Sequence, residues 1–73
     1  MAPLIMFNKG DRLKIKKIQG GINFRKRLEG MGLGIDKIVE ISKTPPGPVI
    51  VKVENSKIVL GFGEASKILA EKV

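Results

Sequence analysis

The chain has 73 residues, neither cysteine nor histidine, and a formal net charge of +7 at pH 7. A chain of this length buries only ~60% of its unfolded surface, which predicts a single domain over residues 1–73. The missing cysteine and histidine exclude a disulfide framework and any zinc or ferrous site with nitrogen or sulfur ligands.

The apolar stretch at residues 1–7 is too short for a secretory signal, and no run approaches the ~20 apolar residues that a membrane-spanning helix needs. A small secreted domain without disulfides would be unusual. We therefore expect a soluble cytoplasmic protein with no direct membrane insertion, and a flexible N-terminus over residues 1–8.

The positive charge is concentrated in one segment. Residues 9–27 hold eight of the fourteen basic residues and one of the seven acidic residues, so the whole excess of +7 lies there. Such asymmetry favours an acidic partner: a nucleic acid, anionic lipid headgroups or an acidic protein surface. The alternative is a solvated lysine-rich face that only aids solubility.

The first regular element in the chain is a strand over residues 12–16. Leu13 and Ile15 alternate there with basic residues, which predicts an apolar inner face and a basic outer face. The phase of this alternation breaks at Lys17-Ile18, which predicts a bulge or a sharp bend.

A short helix follows the strand. Phe24, Leu28 and Met31 are spaced i, i+4 and i+7, which places them on one apolar stripe, with Asn23 as a plausible N-cap. The glycines at positions 30, 32 and 34 oppose further helix and supply positive-φ positions for its exit.

The rest of the chain alternates as strands. We expect strands over residues 36–43, 49–54 and 57–60, a short last strand towards residue 73, and one helical turn over residues 64–67. Three prolines in residues 44–48 predict an exposed loop, and Asn55-Ser56 predicts a two-residue hairpin turn. These elements favour a mainly β fold: a small, partly closed barrel of about five strands with one short inserted α-helix.

The sequence offers little for catalysis. Gly30-x-Gly32-x-Gly34 lacks the third glycine or alanine of the dinucleotide fingerprint, and it follows a helix rather than a strand. Neither a His nor a Cys is present to act as base or nucleophile, and the carboxylates are scattered. We expect no enzymatic activity, no cofactor and no metal site.

Aromatic residues decide between the binding classes. Small barrels that bind single-stranded nucleic acid use aromatic stacking surfaces, and SH3 domains that bind proline-rich peptides use aromatic walls. This chain has three Phe and no Tyr or Trp. The composition therefore disfavours both single-stranded nucleic acid and proline-rich peptides as ligands.

Several short motifs resemble the FeoA family of bacterial ferrous iron transport accessory proteins. Each motif is made of common residues, but their order and spacing over residues 9 to 73 match those of the family. The motifs are Gly10-Asp11-x-Leu13-x-Ile15-x-x-Ile18, Arg25-Lys26-Arg27-Leu28-Glu29-Gly30-Met31-Gly32-Leu33, Pro45-x-Gly47-Pro48 with the Val49/Val51/Val53 strand, and Ala65-x-x-Ile68. Family members commonly carry Pro-Gly where this chain has Ile35-Asp36.

The resemblance implies an SH3-like barrel with an inserted helix. It also implies a non-enzymatic, cytoplasmic regulatory module that binds the FeoB-type membrane transporter on the side of its G-protein domain. On this hypothesis the partner-binding residues are the exposed cations and prolines Arg12, Lys14, Lys16, Arg25, Lys26, Arg27, Pro45, Pro46 and Pro48. Phe24, Leu28 and Met31 are helix anchors or, alternatively, part of an exposed apolar cleft.

Two rival functions remain. The first is a nucleic-acid-binding barrel that uses the basic face of residues 9–27, although the missing Tyr and Trp disfavour it. The second, weaker rival is a free regulatory domain, because the same module resembles the C-terminal domain of iron-dependent repressors. The sequence leaves the oligomeric state open.

Overall fold

A computed structural model describes all residues from 1 to 73 and contains one antiparallel sheet of six strands. The strands are β1 (Ala2–Pro3), β2 (Arg12–Ile18), β3 (Ile38–Lys43), β4 (Val49–Val53), β5 (Ser56–Leu60) and β6 (Ile68–Lys72). Their order in the sheet is β1-β6-β2-β3-β4-β5. β1 and β5 are therefore free edges, and the barrel is only partly closed.

Three short helical segments accompany the sheet: a 3₁₀ helix (Leu4–Met6), α1 (Ile22–Gly30) and α2 (Phe62–Ala65). α1 connects β2 to β3, and α2 connects β5 to β6. None of these helices has the length and apolar character needed to cross a bilayer.

The inner face of the sheet forms one apolar core. All fifteen buried residues are hydrophobic, and they make a single cluster. On β2, Leu13 and Ile15 are fully buried as their alternation predicts. The register then shifts between Ile15 and Lys17, which confirms the predicted bulge and returns Ile18 to the core.

The N-terminal residues are part of the fold. β1 pairs with β6 through Ala2 and Ala70 and through Pro3 and Leu69, and Leu4 is fully buried. The expectation of a flexible N-terminus over residues 1–8 is wrong. This pairing adds a sixth strand to the expected five. The sequence does not predict it, because a two-residue strand is too short to show periodicity.

α1 begins at Ile22, two residues before the start of its apolar stripe at Phe24. Gly21 occupies the N-cap position without a side-chain hydrogen bond, and Asn23 lies inside the first turn. The prediction of Asn23 as N-cap is therefore wrong. Ile22, which starts the helix, is 59% exposed and gives no periodic signal.

α1 ends in a Schellman motif. The Leu33 N–H donates to the Leu28 carbonyl at 2.8 Å, and the Gly32 N–H donates to the Glu29 carbonyl at 3.0 Å. Gly32 has φ +89°, as the predicted exit requires. The glycines at positions 30 and 34 do not adopt a positive φ, so the exit depends on one glycine of the three.

The turn between β4 and β5 lies one residue earlier than predicted. Val53 pairs with Ser56, so Glu54 and Asn55 form the turn, and Glu54 takes φ +55°. The predicted Asn55-Ser56 turn is wrong. Both turns contain Asn55 and keep Val53 and Leu60 on the buried face, because moving a two-residue turn by one position shifts the register by two. The observed turn pairs all five residues of β4 with all five of β5.

The second helix is also displaced from its predicted position. α2 starts at Phe62 rather than at Glu64 and follows Gly61, whose N–H donates to Glu64 Oε1 at 3.0 Å. Glu64 thus caps the helix from inside its first turn, where the prediction placed the start of the helix.

Candidate functional site

Three predicted contact residues lie on β2. Arg12, Lys14 and Lys16, here called the β2 cations, alternate with the buried residues of this strand and project from the outer face of the sheet. Arg12 lies across from Glu40 on β3, and Lys14 lies across from Glu71 on β6. No acidic group is within 4.0 Å of these cations, since none of them belongs to an ion pair.

A shallow cleft of about 300 Å³ opens on the same outer face. Charged side chains of both signs dominate its lining, and Arg12 is the β2 cation that contributes to it. The lining residues are Arg12, Ile38, Val39, Glu40, Lys52 and Glu54. Its mixed charge gives the cleft no preference for an anion.

The remaining predicted cations lie on α1 and differ from one another. Arg25, Lys26 and Arg27, here called the α1 cations, are all exposed. Arg25 and Lys26 have no acidic partner, whereas Arg27 forms an ion pair with Glu64 of α2. The Glu64 carboxylate therefore joins the two helices, because its other oxygen accepts the Gly61 N–H.

Phe24 anchors α1 beside this ion pair. Its half-buried ring packs against the core, and the cationic groups of Arg27 and Lys67 lie over it at 5.5 and 5.3 Å from the ring centroid. A Cβ at Gly20 would approach the ring to 3.2 Å. The close backbone and two cations fix this ring and leave it unavailable as a stacking surface.

The apolar stripe of α1 is not uniform. Leu28 is fully buried, whereas Met31 is 40% exposed at the end of the helix. Phe24 and Leu28 are therefore helix anchors, as one of the two sequence hypotheses states. Met31 does not contribute to the core in the same way, because the helix ends at Gly30 before another turn can bring it inward.

The proline-containing loop at residues 44–48 has no polar contact with either group of cations. Pro46 and Pro48 are exposed and Pro45 is half-buried, with a cis peptide bond between Pro45 and Pro46. No hydrogen bond or ion pair connects this loop to the β2 or α1 cations. The loop is a separate exposed feature between β3 and β4.

Several exposed apolar side chains lie outside the predicted contact residues, among them one on β5 and one on α2. Val59 on β5 is 62% exposed, and Phe62 at the start of α2 is 58% exposed. The alternation of β5 indicates an outward Val59, since Ile58 and Leu60 must face the core. No comparable signal marks Phe62, because a four-residue helix shows no period.

Comparison with known proteins gives one family. The FeoA domain family model matches residues 2–72, nearly the whole chain. A Methanocaldococcus jannaschii protein named "Putative Fe(2+) transport protein A" is 35% identical over 71 residues, covering 97% of this chain and 87% of that protein.

Solved structures agree with the fold. The crystal structure of an iron uptake regulatory protein, FeoA, has a TM-score of 0.90 and 30% identity, covering 99% of this chain and 97% of that one. The metal-dependent transcriptional regulator MtsR has a TM-score of 0.85 at 12% identity, with 99% of this chain and 34% of that chain covered. The second likeness concerns the fold alone. The predicted mainly β, SH3-like, partly closed barrel is confirmed.

Proposed function

The chain belongs to the FeoA family, and we propose that it is a non-enzymatic accessory protein of ferrous iron transport. On this proposal it acts in the cytoplasm and binds the FeoB-type membrane transporter on the side of its G-protein domain. The match of the family model to residues 2–72 carries the proposal. The name of the Methanocaldococcus jannaschii relative supports the link to ferrous iron.

The distribution of unpaired charge supports a protein partner with an acidic surface. Five of the six candidate cations, all except Arg27, have no acidic partner within 4.0 Å. Exposed cations without internal partners raise the rate of association with an acidic surface more than they raise affinity. We assign the contact to the β2 and α1 cations, with Pro45, Pro46 and Pro48 as a rigid apolar addition.

The aromatic residues do not support nucleic acid as the partner. Phe24 is held against the core, and Phe7 is half-buried against the same cluster. Phe62 is the one exposed aromatic side chain, whereas single-strand binding uses successive stacking surfaces along a basic groove. The basic face alone gives only salt-sensitive, sequence-independent attraction.

The proposal is tested by charge reversal on α1. Arg25→Glu/Lys26→Glu should slow association with the purified cytoplasmic domain of a FeoB-type transporter by about tenfold or more at low salt. The control is Lys37→Glu/Lys72→Glu, which changes the net charge equally outside residues 9–27 and also breaks the ion pairs of these lysines with Glu54 and Asp11. Both association and dissociation rates are measured by biolayer interferometry at two salt concentrations.

The control decides the interpretation. If the control slows association as much as the α1 variant does, net charge rather than the α1 cations is responsible. If the wild-type chain does not bind the transporter domain at all, the proposed partner is wrong. Circular dichroism of both variants confirms that each one is folded.

A further inference from the structure

β5 is an edge strand with free backbone groups. Its only neighbour in the sheet is β4. The two-residue turn makes Val53 and Ser56 a hydrogen-bonded pair, and such pairs alternate along an antiparallel ladder. Ser56, Ile58 and Leu60 therefore direct their peptide groups to β4. The N–H and C=O groups of Lys57 and Val59 point away from the sheet, and no other backbone hydrogen bond uses them.

This edge lacks most of the protection that edge strands usually carry. β1, the opposite edge, has only two residues and includes Pro3. β5 has five residues, no proline and an unbroken register with β4. Its exposed outer side chains are Lys57 and Val59. One lysine is the single protective device, and it discourages pairing mainly with strands that bring another cation.

The alternation of positive and negative charge on the outer face of the sheet breaks at this edge. One row across the sheet, read in register, runs Arg12, Glu40, Lys52, Lys57. Signs alternate until the last pair, where two lysines lie directly opposite each other and neither has an acidic partner within 4.0 Å. Like charges in this position repel. A carboxylate beyond Lys57 would continue the alternation.

The neighbouring row begins with Lys43 on β3 and ends in two apolar residues at the edge. Ile50 on β4 lies opposite Val59, two residues along the same face from Lys57. Aliphatic side chains at adjacent positions of a sheet favour another β-branched residue beside them. An added strand would thus meet an apolar position at Val59 and a cationic position at Lys57.

We propose that β5 binds an extended, antiparallel segment of a partner protein with the pattern β-branched, any residue, acidic. The β-branched residue lies beside Val59 and the acidic residue beside Lys57, while the free peptide groups of both strands pair. This surface is distinct from the α1 cations, and the proposal does not depend on the transporter being the partner.

The test uses a capped octapeptide of threonine with Val-Thr-Glu as its third to fifth residues, and a matched peptide with Val-Thr-Lys. Binding is followed by ¹⁵N NMR titration of the full chain. We expect saturable shifts centred on the amides of Lys57 and Val59, and about threefold to tenfold weaker binding of the lysine peptide. Lys57→Glu should reverse this preference.

Two variants at position 59 distinguish the contribution of the backbone N–H to peptide binding from that of the side chain. Val59→Pro removes an outward N–H without removing a bond to β4, and it should abolish binding. Val59→Thr keeps the N–H and the side-chain shape, and it should bind within about threefold of wild type. Lys9→Glu, which makes the same change of charge before β2 and outside the candidate contact residues, should leave peptide binding unchanged.

Several results would overturn the proposal. These are the absence of saturable shifts, shifts centred away from β5, or equal affinity for the two peptides in both the wild type and Lys57→Glu. Protection of the Lys57 and Val59 amides that grows with protein concentration in the absence of peptide would show that a second copy occupies the edge instead.

Discussion

Two residues with left-handed backbone set the path of the chain between α1 and β3. Gly32 takes φ +89° at the helix exit, and Asp36 takes φ +69° just before the strand. The Asp36 N–H then donates to the Ile15 carbonyl at 2.7 Å, which fastens the loop to β2. Glycine adopts such a conformation without strain. Here Asp adopts it.

Gly32→Ala tests the helix exit. The added Cβ would meet Val53 Cγ1 at 3.8 Å, an ordinary contact, so the cost arises from the backbone conformation alone. We expect a loss of about 1–2 kcal/mol in the free energy of unfolding, measured by urea denaturation. Gly30→Ala is the control, since position 30 is helical with open space around it. It should stabilise the fold by roughly 0.5–1 kcal/mol. Equal effects of the two changes would contradict this account.

Lys57→Glu tests whether the charge at the β5 edge serves stability. The change replaces a like-charge pair with Lys52 by an opposite-charge pair. We expect the midpoint of thermal unfolding to rise, with a gain below about 1 kcal/mol. A lower midpoint would mean that Lys57 stabilises the sheet, and the lysine pair would then give no reason to place a carboxylate beside it.

At the scale of the elements, the position of α1 depends on only a few side-chain contacts. Leu28 is fully buried and the half-buried Phe24 packs against the core, while the remaining side chains of the helix are exposed. The ion pair between Arg27 and Glu64 links α1 to α2, but both side chains are substantially exposed, so it contributes little to stability. Burial of Leu28 holds the helix in place.

Leu28→Ala tests this dependence. Removing a fully buried leucine costs ~2–5 kcal/mol through lost burial and a residual cavity. Total stability is ~5 kcal/mol for a marginal domain, so the variant should be largely unfolded or melt far below wild type. Met31→Ala, at the exposed end of the same stripe, should cost less than about 1 kcal/mol. Similar losses in calorimetric melting would show that Met31 is also an anchor.

Elements with a clear period could be predicted from the sequence, and short ones could not. The alternation of Leu13 and Ile15 predicts the inner face of β2, and the break in phase at Lys17-Ile18 predicts its bulge. β1 and α2 span fewer residues than one clear period needs, so the first was missed and the second misplaced. The β4–β5 turn was misplaced because Asn55 lies in both candidate turns and the alternation of the two strands is the same for both.

For the whole molecule, core and charge occupy separate surfaces. The buried cluster is entirely hydrophobic, and every cation lies outside it. The sequence located the excess charge, but it could not show that Arg27 is paired while Arg25 and Lys26 are not. That difference depends on α2, which contacts α1 only in the folded chain.

The distribution of acidic residues also bears on whether the chain binds ferrous iron. No group of three or more acidic residues is placed to hold an ion, and the chain has no His or Cys. We predict no stoichiometric ferrous site tighter than about micromolar, which corresponds to ~8 kcal/mol of binding free energy. Anaerobic calorimetry with ferrous iron measures it. A tighter site would contradict a role confined to protein contacts.

The most direct measurement compares the possible partners of the wild-type chain under one condition. The labelled chain is titrated with the cytoplasmic domain of a FeoB-type transporter, with single-stranded RNA and with duplex DNA, at ~150 mM salt by fluorescence anisotropy. We predict saturable binding to the transporter domain and only weak, salt-sensitive binding to either nucleic acid. Sub-micromolar affinity for RNA or DNA, with no binding to the transporter domain, would contradict the account.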